Sequence, residues 1–160
     1  EDESLRLGAD PSISNLDFLR AVRSSRPDDF IVFKEHPDLL SGGRHGSTDL
    51  RAASKIADYI AADGDALTWI KMADEVHVRT SLAGYEALLR GKKVVCYGLP
   101  FYAGWGLTTD FCTTSRRTRR RSLDELVAIT LLRYPVYLHP HLHIPINAED
   151  ALALIEKHKL

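Results

Sequence analysis

Three short apolar runs limit what this chain can fold into: FIVFK (30–34), EVHV (75–78) and KVVCY (93–97). FIVFK and KVVCY are apolar along most of their length, without the strict alternation of a half-solvated strand, EVHV carries two valines, and stretches with helical spacing separate all three. Strands of that kind, alternating with helices, predict an α/β fold with a parallel sheet covered by helices on both faces. Such sheets hold ligands at the carboxyl ends of their strands. The informative residues here follow strand ends: EHPD after the first run, TSLAG after the second and GLPFYAGWG after the third.

The helices are legible by spacing and caps. Leu16, Leu19 and Val22 share a face, with Asn15 as the expected N-cap and Pro27 as the stop. Residues 50–63 read as one helix or, the favoured reading, as a helix followed by a strand near 58–61, and residues 65–72 as a short helix. A helix over 82–90 is expected to bury Leu82, Tyr85, Leu88 and Leu89 and to stop at Gly91. Ser122 and Glu125 form a capping-box pattern for a helix reaching about residue 133. Asn147 is placed to cap a last helix over 148–157. Gly42, Gly43 and Gly46 mark a loop, and residues 98–114 also read as loop.

With 160 residues, 44% of them hydrophobic, one domain with a buried core is expected over 1–160. The net charge of −1 gives no global attraction to nucleic acid. Cys96 and Cys112 are too few for a disulfide framework and read as free thiols of a reducing, cytoplasmic compartment. No apolar run approaches a membrane span, and no charged stretch followed by an apolar one suggests a secretory leader. The opening Glu1-Asp2-Glu3, without Met, reads either as a short disordered start or as the edge of a longer protein.

Several residues suit a phosphorylated ligand. Thr80 and Ser81 precede a helix, where hydroxyls and free N–H groups make a phosphate site; simple N-capping uses the same residue types. Gly84 permits close approach of another chain or a ligand, or close helix–sheet packing. Glu86, one turn into that helix, can accept from a ribose diol or complement the helix dipole in solvent. Lys34 and His36 flank a strand end two residues apart, with Pro37 fixing the turn. Both can donate to a phosphate, and a protonated His36 can stabilise a departing nucleotide.

Phe101, Tyr102 and Trp105 lie among Gly98, Gly104 and Gly106, and either pack under the loop or stack on a ring. The arginine-rich run RRTRRR over 116–121 reads as a solvated linker, or as a contact for an anionic membrane or glycan. His139, His141 and His143 would share a face if extended, but no nearby carboxylate or cysteine completes a metal site.

VVCYGLPFYAGWGLTTD (94–110), TSLAGYEALLRGK (80–92), KEHPD (34–38) and RRSLDELVAITLLRYPVY (120–137) occur in order. On these blocks, covering nearly the whole chain, the sequence resembles the capsule polysaccharide biosynthesis family KpsC/LipB. The resemblance implies a CMP-Kdo-dependent β-Kdo glycosyltransferase that builds a Kdo linker on a phospholipid. It implies a GT-B enzyme with two Rossmann-like domains, this chain being the C-terminal, donor-binding one and inactive alone. His36-Pro37 and Thr80-Ser81 would hold the CMP phosphate with Lys34, and Glu86 the ribose. Glu35 stands where the family usually has proline in Lys-Pro-His-Pro. Glu1 and Asp2 would end an active-site loop, with Tyr102 and Trp105 also near substrate. The nucleophilic carboxylate and the site for a lipid-linked acceptor would lie in the other domain. CMP-Kdo enters as donor substrate; no metal or other cofactor is implied. Peripheral contact with the inner membrane and capsule-export proteins is expected. The alternative is a non-catalytic interaction module of the capsule biosynthesis and export machinery.

Overall fold

The computed structural model describes residues 3–10, 12–34, 49–61 and 64–157. They fall into two units, Glu1–Arg120 and Arg121–Leu160.

The first unit is mixed α/β with parallel strands, as the apolar runs predict. β1 (Val32–Lys34) pairs in parallel with β2 (Tyr59–Ala61), Val32 opposite Tyr59. β3 (Glu75–Val78), β4 (Lys93–Cys96) and β5 (Thr109–Asp110) form a second parallel set in that order. The backbone ladder is thus divided between two sheets. Between the strands run α1 (Glu3–Gly8), α2 (Asn15–Ser25), α3 (Leu50–Ala53), α4 (Ala66–Met72) and α5 (Ala83–Leu88). Leu19 and Val22 of α2, Ile31, Phe33, Ala53 and Ala57 make one apolar cluster. Val94, Val95 and Cys96 are all buried, as a strand without alternation requires. β5 was not legible: two residues inside a glycine-rich loop carry no periodicity.

Local chemistry corrects two details. Ser14, not Asn15, caps α2: its Oγ accepts from Asp17 N at 3.1 Å while Asp17 Oδ2 accepts from Ser14 N at 3.2 Å. A Ser-x-x-Asp pair satisfies two helix-start donors at once, which Asn15 cannot do. In α5 the buried residues are Gly84, Tyr85, Ala87 and Leu88, while Leu82 and Leu89 are exposed. Gly91 does end that segment in a left-handed conformation, φ +69°.

An ionic group joins α2 to β3. Arg26 Nη2 lies 2.7 Å from Glu75 Oε1, which also lies 2.7 Å from His77 Nε2. Burial holds the His77 imidazole below its ordinary range, against the pull of Glu75. Its Nδ1 is buried without a hydrogen-bond partner. The Tyr97 ring stands 5.9 Å from His77 and 5.0 Å from Phe18 of α2.

In the second unit, Ser122 and Glu125 form the expected capping box for α6 (Leu123–Val127). The helix then widens into a π-helical stretch, Ala128–Arg133, with Tyr134 N donating to Ile129 O at 2.9 Å. β6 (Tyr137–Leu138) and β7 (Pro145–Ile146) pair antiparallel. α7 (Ala148–Lys157) follows Asn147, whose Oδ1 accepts from Asp150 N at 2.7 Å. The three histidines are not on an extended strand. The chain doubles back, His139 N donating to Ile144 O and His143 N to His139 O, both at 2.9 Å, and His143 has φ +53°.

Candidate functional site

Thr80 and Ser81 follow the carboxyl end of β3. The strand end is fixed by Tyr97 N donating to Val78 O at 2.8 Å, and by the buried Arg79, whose Nη2 donates to Asp10 O at 2.9 Å. Thr80 is half-buried, with Oγ1 3.2 Å from Ser4 Oγ of α1. Ser81 is exposed, and its Oγ accepts from Ala83 N at 3.2 Å. That bond uses a lone pair and leaves the O–H to donate.

α1 is locked beside this turn by Leu99 N donating to Gly8 O at 2.6 Å. A Cβ on Gly98 would come within 2.6 Å of Gly8 O and 2.8 Å of Arg79 O, so only glycine fits there. The result is a cleft of about 280 Å³ lined by Ser4, Leu7, Gly8, Thr80, Leu99, Pro100 and Phe101. Ser4 and Gly8 carry no signal at these positions that the sequence offers, since α1 reaches Thr80 only through tertiary packing, whereas Phe101 is one of the loop aromatics.

Glu86 is half-buried in the first turn of α5, close in sequence to Ser81. Lys34 ends β1, which belongs to the other sheet. His36, Pro37, Glu1 and Asp2 lie outside the described residues, as do Glu35 and the glycine run at 42–46.

The aromatic loop resolves residue by residue. Tyr102 is fully buried, 0% exposed, and its hydroxyl donates to Ser81 O. Its ring packs on Tyr85 and Phe101, with centroids 6.1 and 5.2 Å away. Tyr102 therefore takes the packing alternative. Phe101 is 43% exposed on the cleft wall. Trp105 is half-buried, its Nε1 donating to Phe101 O at 2.7 Å.

Gly84 is accounted for by the same ring: a Cβ there would lie 2.3 Å from the Tyr102 hydroxyl. Gly104 and Gly106 turn the loop at φ +77° and +81°. Asp110 holds it, Oδ2 accepting from Gly104 N at 2.9 Å and Oδ1 from the Thr108 hydroxyl at 2.6 Å.

Arg117 also belongs to this loop: Nη1 donates to Pro100 O at 2.5 Å and Ala103 O at 2.7 Å. The arginine-rich run is thus not uniformly a solvated linker. Arg117 gives Ala103 O a donor and adds a second one to Pro100 O, which also accepts from Ala103 N at 3.1 Å.

A family model described as capsule polysaccharide biosynthesis protein matches residues 1–137. The chain belongs to that family. Among family relatives, the capsule polysaccharide modification protein LipA of Neisseria meningitidis serogroup B is 50% identical over 99% of this chain and 23% of its own length. The lipopolysaccharide-processing protein LpsZ of Rhizobium meliloti is 39% identical over 86% of this chain and 31% of its own. Similar solved structures include two of Thermosulfurimonas dismutans KpsC. The β-Kdo 2,7 transferase has a TM-score of 0.86 at 41% identity, over 99% of this chain and 51% of that one. The β-Kdo 2,4 transferase has a TM-score of 0.75 at 32% identity, over 87% and 43%. The chain therefore spans about a quarter of LipA and half of the first solved relative. Its capsule-family membership and its structural relationship to Kdo glycosyltransferases agree with the resemblance drawn from the sequence blocks.

Proposed function

We propose that this chain is the donor-binding part of a CMP-Kdo-dependent β-Kdo transferase, the C-terminal half of a GT-B module acting in capsule polysaccharide assembly. The observation that carries this reading is the pair of hydroxyls at Thr80 and Ser81, set at the carboxyl end of a parallel strand beside an open cleft. In this reading Ser81 and Thr80 donate to the CMP phosphate, with Lys34 and His36 adding positive charge and Pro37 shaping their turn. Glu86 accepts from the ribose diol. His36 stabilises the departing nucleotide as the bond to the sugar breaks. Glu1, Asp2 and Trp105 approach the substrate.

The nucleophile and the lipid-linked acceptor belong to polypeptide outside this chain, which is inactive by itself. No metal or resident cofactor takes part, because the cationic side chains meet the phosphate. The protein works in the cytoplasm, with peripheral contact at the inner membrane and with capsule-export proteins. Among the described residues no helix is long and apolar enough to cross a membrane.

Calorimetric titration with CMP tests the reading. Weak binding is expected, falling about tenfold in Ser81→Ala and in His36→Ala, the cost of one hydrogen bond to a charged group. A folded chain that takes up no CMP would remove the reading.

One observation favours a second reading, a non-catalytic interaction module: Tyr134 and Val136 are 85% and 76% exposed. Under it, no CMP-, UDP- or GDP-sugar raises the melting temperature.

A further inference from the structure

We propose that Tyr102 is a positioning residue for the Thr80-Ser81 turn, setting where the Ser81 hydroxyl meets the nucleotide phosphate; this rests on the donor-binding reading. The Ser81 carbonyl takes two donors, Gly84 N at 3.2 Å and the Tyr102 hydroxyl. The first is local and would form in any turn of this shape. The second comes from 21 residues away and reaches Ser81 because Gly84 has no side chain.

A Cβ on Gly84 would lie 2.3 Å from the Tyr102 oxygen and 2.8 Å from Cζ, so the ring passes directly over this residue of α5. Tyr102 is itself immobilised: it is fully buried, and the carbonyls of Pro100 and Ala103 on either side of it are both held by Arg117. Burial also pushes the phenol above its ordinary value, so it remains a donor across the neutral range.

The exposed Ser81 thus takes its position from a buried, anchored ring. A hydroxyl hydrogen-bonded to a charged phosphate is worth about tenfold or more in affinity, so a displacement that weakens the bond is costly. A hydrogen bond that fixes the backbone beneath it acts on binding out of proportion to its effect on folding.

The full chain is titrated with CMP as wild type, Tyr102→Phe, Gly84→Ala and the double variant, and each is also melted. Tyr102→Phe keeps the ring and removes only the hydroxyl. The expected result is a CMP affinity about five- to tenfold weaker in Tyr102→Phe, with the melting temperature close to wild type.

Gly84→Ala is expected to weaken CMP similarly. The double variant should bind no worse than the worse single one, because removing the hydroxyl relieves the closest contact with the new methyl. Wild-type CMP affinity in Tyr102→Phe, with or without a lower melting temperature, would make Tyr102 a packing residue only and overturn the inference while leaving the donor-binding reading intact. Absence of CMP binding in a folded wild-type chain would overturn both.

Discussion

The guanidinium of Arg117 stands 5.6 Å from the centre of the Trp105 ring while its Nη1 donates to Pro100 O and Ala103 O. One side chain thus covers an aromatic face and closes the loop that carries Tyr102. Arg117→Ala takes the guanidinium donor from Ala103 O, while Pro100 O keeps its bond from Ala103 N at 3.1 Å, and is expected to cost about 1–3 kcal/mol, by the range for unsatisfied polar groups. Arg117→Lys should recover less than half, because an ammonium cannot reproduce the planar fork or the stacking. Urea unfolding of the two variants checks this. Equal stability of lysine and arginine would show that charge alone suffices.

Cys96 supplies an alkaline signature. Burial, reinforced by Asp110, pushes its thiol up to about 12 from an ordinary 9.0. The unfolded chain therefore releases this proton first, and folding stability should fall as pH rises from about 9 towards 12. The slope for one such group is about 1.4 kcal/mol per pH unit. Cys96→Ala should flatten the profile between pH 9 and 10, where Tyr102 contributes little. Guanidinium midpoints at stepped pH would read this, and an unchanged slope in the variant would contradict it.

His77 predicts the opposite behaviour in acid. Its pKa is lowered by burial, so below about 6.5 the unfolded chain binds a proton that the folded chain resists. Stability should decline as pH falls from that value. Arg26, Glu75, Asp29 and the Tyr97 ring surround the imidazole, and Arg26 opposes a second positive charge there. His77→Gln is expected to lose much of the decline between pH 6.5 and 5. Thermal melts across that window decide it.

The cap of α2 gives a simple stability test. Ser14→Ala removes the Oγ that accepts from Asp17 N, while the backbone N–H of residue 14 can still donate to Asp17 Oδ2, and should cost about 1 kcal/mol. Asn15→Ala should cost less than Ser14→Ala, since Asn15 is not the cap. A larger loss at Asn15 than at Ser14 would reverse the assignment.

The strands β1 to β4 and the helices after α1 were legible because apolar runs and caps are local signals, whereas the division into separate sheets was not. KVVC carries its burial in its own composition, and Ser122 with Glu125 announces a helix start wherever it occurs. The loop after KVVCY was legible only as glycine and aromatic content. Nothing local distinguishes Tyr102, which is buried, from Phe101, which lines the cleft; the difference arises from where α5 and α1 pack. Arg117 was hidden for a related reason. Inside an arginine-rich run, composition favours solvent, and only the Pro100 and Ala103 carbonyls, once the fold has placed them, select one member. Ser4 and Gly8 entered the site through α1, whose placement beside Thr80 depends on Leu99.

The dependence of Ser81 on Tyr102, and of Tyr102 on Arg117, sets an order of events during synthesis. A chain leaves the ribosome from its N-terminus, and domains fold as units. β3 and the Thr80-Ser81 turn emerge well before the residues that fix them. The turn cannot take its final shape until Arg117 is free to close the loop, and Arg117 lies just before the end of the first unit at Arg120. Ribosome-arrested chains ending before and after that arginine should therefore differ in their capacity to form a binding-competent turn.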